Sequence, residues 1–252
     1  YNIISAKCQL IFFILPDRML LLGIIPVNNY LPLLKLILFL IRKDPIMDSI
    51  IFDVDGTLWD STESVAQSWT AYLREKEHMD ITLTSARLMT LFGQTLSDIA
   101  RQIFPDCSEA EQLRLIDGCC QAEHEALLKK CAPLYEDLEK MLQIMYKKCP
   151  LYIVSNSQSG YIEVFLQTSG LEKYFKGHLC NGDTGLDKGS NIRKLADTYD
   201  LKSPVYVGDT FGDYQACQKA NVPFIFAEYG FGEVPKPDAR ICKPMDLVNI
   251  SL

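Results

Sequence analysis

No C-x-x-C pair occurs among the nine cysteines of this 252-residue chain, and their spacing is irregular. A cysteine zinc site or a thioredoxin-like redox site therefore finds no support. Unpaired thiols in a reducing compartment are the simpler reading, which places the chain in the cytoplasm. Basic stripes are also missing. A net charge of −7 leaves no electrostatic footprint for nucleic acid. The partners expected are small molecules and a cation. Internal repeats and low-complexity tracts are absent after residue 46. A 48% hydrophobic and 23% charged composition is ordinary for a globular chain. Its length suits one large domain, or a core with a smaller module.

Residues 1–46 stand apart. They are rich in Leu and Ile, begin at Tyr1, and contain Pro16, Pro26 and Pro32. The longest charge-free stretch, Met19 to Leu34, is interrupted by two of those prolines and ends at Lys35. A spanning helix wants about 20 predominantly apolar residues. No small-residue cleavage site lies between Leu40 and Met47, so a signal peptide is not indicated. A membrane anchor, a genuine extension and mistranslated upstream sequence are the competing readings. The last is favoured, because Met47 directly precedes an opening strand. Membrane association is expected only if residues 1–46 are genuine.

From Ser49 the chain reads as alternating strands and helices. Ser49–Val54, Leu151–Val154, Pro204–Val207 and Pro223–Phe226 are short apolar runs flanked by turn residues. A weaker strand candidate lies near His178 to Cys180. Apolar residues at helical spacing mark helices at Tyr161–Thr168, around Ile192–Tyr199, and at Tyr214–Ala220. This alternation predicts an α/β fold with a doubly wound, Rossmann-like parallel sheet. Residues 62–135 break it. Val65, Trp69, Tyr72 and Leu73 repeat with helical period, and Ile99, Ile103, Leu113, Leu115, Ile116, Leu127 and Leu128 mark further helices. Glu123, Glu125, Lys129 and Lys130 read as a solvated face. The expected organisation is a core of residues 47–61 plus 136–252, with 62–135 inserted as an all-helical domain over the carboxyl edge of the sheet. That edge is where open α/β sheets bind ligands. Residues 135–148 are expected to return the chain to the core as a helix.

Carboxylates cluster after two of the strands. Asp53-Val54-Asp55-Gly56-Thr57 follows the first, and Gly56 permits the bend that turns both acids to one site. Paired carboxylates suit nucleophilic attack with acid–base help, or metal binding; a simple D-G turn is the alternative. Gly208-Asp209-Thr210-Phe211-Gly212-Asp213 follows another strand, where a polar helix-capping loop is the alternative. If the two strands are neighbours, about four carboxylates converge. Oxygen-only crowding of that kind selects magnesium or another hard cation. Ser155-Asn156 ends a third strand and suits an anion site at a helix start, or an N-cap. Lys188, by itself a surface lysine, would offset charge in such a site and hold a phosphate oxygen. Its loop, Gly182 to Gly189, fails the G-x-x-x-x-G-K-[ST] spacing of a nucleotide-binding loop.

These four pieces, in this order, resemble the motifs of the haloacid dehalogenase superfamily: D-x-D-G-T at Asp53–Thr57, a strand-ending Ser155, a lone Lys188, and G-D-x-x-x-D at Gly208–Asp213. The likeness covers residues 48 to about 240 and leans towards the phosphoglycolate phosphatase-like branch. It implies a Rossmann-like core with a helical cap. It further implies that Asp53 is the nucleophile that forms an aspartyl-phosphate, and that Asp55 is the acid and then the base. Mg2+ would be held by Asp53, the Asp55 carbonyl, Asp209 and Asp213. Ser155, Asn156 and Lys188 would hold the phosphoryl group of a small phosphorylated metabolite. The chain would act as a monomer or homodimer.

Departures narrow the branch. True dehalogenases and phosphonatases lack the second acid that Asp55 supplies. A sugar-phosphate mutase places His near Val65, and no His lies between Thr57 and Trp69. Lys188-Gly189-Ser190-Asn191 replaces the usual K-P-x-P, which weakens any substrate assignment. A phosphosugar mutase and a non-catalytic binding member are the alternatives to a phosphatase. In the cap, Arg87, Gln94 and Thr95 are substrate-facing candidates, with a plain surface helix as the competing reading.

Overall fold

The computed structural model describes residues 8–15, 18–26 and 47–250. The chain divides into two units, residues 1–46 and residues 47–252. In the first, β1 (Cys8–Leu15) pairs antiparallel with β2 (Arg18–Pro26). No helix among the described residues is long and apolar enough to cross a membrane. The rest of the segment weighed above as an anchor, residues 1–7, 16–17 and 27–46, lies outside the described residues.

The second unit is built on six parallel strands in the order β5-β4-β3-β6-β7-β8. They are β3 (Ser49–Phe52), β4 (Leu151–Ser155), β5 (Phe175–Cys180), β6 (Pro204–Gly208), β7 (Phe224–Ala227) and β8 (Ala239–Ile241). In the four strands from β4 to β7 across the sheet, alternate residues go to opposite faces, as a period of two requires. Ile50, Phe52, Leu151, Ile153, Val205 and Val207 pack on one face with Leu138, Met141 and Phe165. Ile51, Tyr152, Val154, Tyr206 and Phe224 pack on the other with Ile192, Leu195 and Cys217. Burial on both faces explains why these strands read as unbroken apolar runs rather than alternating ones. β3 ends at Phe52, two residues earlier than expected. The weak candidate at His178–Cys180 is the end of β5. β8 was not foreseen, because three residues at the sheet edge carry no period.

Between β3 and β4 the chain forms α1 (Thr62–Glu75), α2 (Ser85–Met89), α3 (Leu96–Ile103), α4 (Glu109–Lys129) and α5 (Leu138–Met145). The first four share their own apolar cluster, including Val65, Trp69, Leu73, Leu88, Ile99, Leu115 and Cys119. Thr84, Thr95 and Ser108 cap α2, α3 and α4 by accepting from the backbone N–H three residues on. The several helical patterns read between 113 and 128 are one 21-residue helix, α4. Leu113 and Leu128 face solvent rather than the cluster. α5 returns the chain to the core, as expected. Beyond β4 come α6 (Tyr161–Ser169), α7 (Asn181–Thr184), α8 (Lys188–Thr198) and α9 (Phe211–Ala220), with α8 and α9 on the second face of the sheet.

β3 lies between β4 and β6, so the chain winds outward from the centre in both directions. Adjacent strands feeding opposite halves leave a crevice at their carboxyl ends, the usual ligand site of such sheets.

Candidate active site

Asp53 is the first residue past β3. Its backbone N–H donates to the Val207 carbonyl at 2.9 Å, which extends the ladder by one residue and fixes the side chain at the crevice. The chain then folds tightly back, with the N–H groups of Thr57 and Leu58 donating to the Val54 carbonyl at 3.2 and 2.7 Å. Gly56 sits in this turn at φ +79°, where a β-carbon would also overlap the Asp209 carboxylate. Both reasons confine the position to glycine.

The turn delivers Asp55 to three donors. Trp59 Nε1, Ser61 Oγ and Tyr161 Oη reach its Oδ1 at 3.0, 2.6 and 2.6 Å. The other oxygen carries none of them. Trp59 packs edge-on against Tyr161 and Phe165, so core packing holds the donors in place. Burial raises the Asp55 carboxyl above its ordinary range, against the lowering pull of Ser61, Tyr161 and Trp59. None of these three donors stood out in the sequence, where Tyr161 reads only as the start of a helix.

Asp209 and Asp213 follow β6. Asp209 is fully buried and accepts from Thr57 Oγ1 at 3.1 Å and from the Phe231 N–H at 2.9 Å. Asp213 occupies the first turn of α9 in a reciprocal capping box with Thr210. Its Oδ2 accepts from the Thr210 N–H at 3.0 Å and Thr210 Oγ1 at 2.8 Å, and its Oδ1 faces Lys188 at 2.5 Å. Both Asp213 oxygens are thus engaged before any cation arrives.

Lys188 is not the surface lysine it looked like in isolation. It starts α8, is buried, and places Nζ 3.0 Å from Asp53 Oδ2. Burial works against its charge, but Asp213 and Asp53 outweigh that and hold the ammonium above its ordinary range. Asp53 is pushed up to about 7, chiefly by burial, with Lys188 opposing and Asp213 and Asp55 adding to the rise. Burial and the charges of Asp213 and Asp53 raise Asp209 well above the usual carboxyl range. Ligand oxygens of Asp53, Asp209 and Asp213 all lie within 4.8 Å of one another. An all-oxygen, buried, anion-rich cluster fits a hard divalent cation, whose charge would relieve the repulsion that raises these groups.

Ser155 ends β4 and is buried. The expected helix start does not follow it. α6 begins only at Tyr161, after Gly160, and Ser155 Oγ accepts from the Ser157 N–H at 3.2 Å instead. The amides behind Ser155 therefore belong to a loop. Asn156 turns Nδ2 towards the helical insertion, donating to the Gly93 carbonyl at 2.8 Å. Its Oδ1 and the neighbouring Ser157 Oγ are buried without a protein partner. Orphaned polar atoms at a cavity wall mark where a ligand or water completes the bonding.

The cavity over these groups measures about 40 Å³. Asp53, Asp55, Ser155, Asn156 and Lys188 form its core side; Trp69, Phe92, Gln94 and Glu123 come from the insertion. Of the three candidates in the insertion, Gln94 alone lines it. Thr95 caps α3, and the Arg87 side chain turns to Thr90 on the surface. Glu123 overturns its expected place on a solvated face. It is 3% exposed and accepts from Trp69 Nε1 at 2.8 Å and Gln158 Nε2 at 2.9 Å. The signal was in the spacing: Ile116, Cys119, Cys120, Glu123 and Leu127 share the buried stripe of α4. The flanking charges at 125, 129 and 130 masked it.

Residues 50–227 match the haloacid dehalogenase-like hydrolase family. A phosphoglycolate phosphatase from Aliivibrio fischeri is 26% identical over 194 residues, covering 72% of this chain and 84% of that protein. A pyrophosphatase, PpaX, from Listeria welshimeri is 25% identical over 182 residues, covering 68% and 79%. Among solved structures, a haloacid dehalogenase-like family hydrolase from Streptococcus pneumoniae superposes with a TM-score of 0.70 at 18% identity, covering 81% of this chain and 97% of that one. With two acidic strand ends meeting in a buried crevice and most of the chain matched, this protein belongs to the haloacid dehalogenase-like hydrolase family.

Proposed function

We propose that the chain is a phosphatase of the phosphoglycolate phosphatase-like kind, which hydrolyses a small phosphomonoester with Mg2+ through an aspartyl-phosphate on Asp53. One observation carries this reading. Two carboxyls two residues apart line the same cavity, with different partners. Asp53 faces an ammonium. Asp55 is held by three donors on a single oxygen, away from that ammonium's contacts. Environments that differ in this way separate a nucleophile from an acid–base group.

In the first step an Asp53 oxygen attacks phosphorus, and the bond to the leaving oxygen breaks as Asp55 gives it a proton. In the second, Asp55, now ionised, takes a proton from the water that attacks phosphorus, and Asp53 leaves as carboxylate. Lys188, Ser155 and Asn156 hold the phosphoryl oxygens. Asp53, the Asp55 carbonyl and Asp209, with Asp213 beside them, would hold Mg2+, which would offset charge on the transferring group. Residues 62–135 serve as a cap over a core of residues 47–61 and 136–252. A mainly electrostatic site of this kind stabilises the phosphoryl transition state without further covalent chemistry.

The relatives named above differ in leaving group, glycolate in one case and phosphate in the other, so their names favour no single substrate. The cysteines of the second unit are all free, which supports a cytoplasmic setting. The test is release of p-nitrophenolate from p-nitrophenyl phosphate with and without Mg2+. Turnover that depends on Mg2+ and disappears in Asp53→Asn, with the circular dichroism unchanged, is the expected result. Wild-type turnover in that variant overturns the nucleophile assignment.

A further inference from the structure

Glu123 has no part in the chemistry assigned to Asp53 and Asp55, yet it lines the same cavity from the insertion side. Both of its protein contacts, Trp69 Nε1 and Gln158 Nε2, are donors. In its ionised form a carboxylate so held is purely an acceptor, and each oxygen keeps a further lone pair. Burial pushes Glu123 up to about 8, a cost that another donor at its oxygens lowers and a neighbouring anion increases.

The rest of the wall decides what can lie beside it. Trp69, Phe92, Leu96 and Ile99 are apolar or aromatic. Among the described residues Lys188 is the only cation lining the cavity, and its ammonium is already between Asp53 and Asp213. A carboxylate or second phosphate on the leaving group would be buried next to Glu123 with no cation of its own, an arrangement that desolvation penalises heavily. A hydroxyl or an ammonium supplies the donor that Glu123 can still accept. Trp69 and Tyr161 also line the cavity, and aromatic rings suit a cation better than an anion.

Resting on the phosphatase reading above, we propose that Glu123 selects the substrate: the alcohol half of the ester is short, carries no negative charge, and gives a hydroxyl or ammonium hydrogen bond to this carboxylate. Short polyols and amino alcohols are the class.

The test compares kcat/KM of the full chain, with Mg2+ and at a pH of about 9, above the value to which Glu123 is raised, for glycerol phosphate, phosphoethanolamine, phosphoglycolate and pyrophosphate. The expected result is a preference of about 10-fold or more for the two donor-bearing esters over the two anions. The better of the two esters tells hydroxyl from ammonium. In Glu123→Gln, checked for fold by circular dichroism, the preference narrows several-fold because the anions are no longer repelled. Should that variant fail to fold, the wild-type profile decides alone. Phosphoglycolate or pyrophosphate as the best wild-type substrate, or an unchanged ratio in a folded Glu123→Gln, overturns the proposal. A protein that turns over neither these esters nor p-nitrophenyl phosphate overturns the phosphatase reading, and this proposal with it.

Discussion

Lys188 spans from the start of α8 to Asp53, Nζ to Oδ2 at 3.0 Å, with both side chains almost wholly buried. The same ammonium meets Asp213 at 2.5 Å. One cation therefore ties the end of β3 to the first turn of α9.

Removing that cation strands two buried carboxylates. Lys188→Met is expected to cost about 3 kcal/mol or more of unfolding free energy, in the range seen when one member of a buried pair is deleted. Urea denaturation followed by circular dichroism measures it. A midpoint equal to the wild type's would show that the pair contributes nothing to stability. Phosphatase turnover should fall as well, because the phosphoryl oxygens lose their one ammonium.

Asp55 can be separated from Asp53 by its leaving group. Asp55→Asn should slow hydrolysis of alkyl phosphates by roughly 10²–10⁴-fold, the usual worth of a positioned acid or base. A p-nitrophenolate leaving group needs little protonation, so the first step should persist and the second stall. Intact-protein mass spectrometry is then expected to find a phosphorylated chain. Equal losses on both substrate types, with no covalent species, would remove Asp55 from the acid–base role.

The acidic cluster predicts a cation effect that needs no turnover. Mg2+ at roughly a hundred times its dissociation constant should stabilise the fold by about 2.7 kcal/mol, visible as a rise in Tm. Asp209→Asn keeps the shape of a residue that accepts from Thr57 and Phe231 but loses its charge. Its Tm should respond to Mg2+ much less. An undiminished response would place the cation elsewhere.

Glu123 sets a pH dependence with a definite sign. Its carboxyl is raised from 4.5 to about 8, first by burial, so the folded state holds a proton that the unfolded state has released. Its contribution to stability is complete below 4.5 and is lost as pH rises through about 8. The slope is at most about 1.4 kcal/mol per pH unit. Glu123→Gln should flatten stability across that window, and the two proteins should converge at acid pH. Parallel stability curves for variant and wild type would mean that Glu123 is ionised throughout.

Much of the site was legible because its chemistry sits at strand ends. Four apolar runs placed Asp53, Ser155 and Asp209 at the carboxyl edge of one sheet, and Gly56 marked the bend. What escaped detection depended on contacts between distant segments. Tyr161 reads as the first residue of a helix, and only folding brings its hydroxyl 106 positions back to Asp55. Asn156 read as an anion ligand, and nothing near it in sequence announced that its amide also reaches the insertion at Gly93. Glu123 was hidden by the charges around it, although its spacing on α4 put it in the buried stripe. β8 was too short to show a period.

The central place of β3 also governs when this site can exist. Ile50 of β3 pairs with Leu151 on one side and Val205 on the other. Thr57, in the turn beside the nucleophile, is 152 positions from its partner Asp209. At ~5–20 residues per second, a ribosome needs roughly 8–30 s to cover that interval. Until β4 is made β3 has neither flank covered, and until β6 is made one flank stays open, the condition that exposes slow-forming parallel sheets to aggregation. The helical insertion has its own apolar cluster and is complete within that interval. A chain that stalls just before residue 204 thus holds a finished insertion, a strand open on the flank that β6 will cover, and an Asp53 without Asp209 and Asp213.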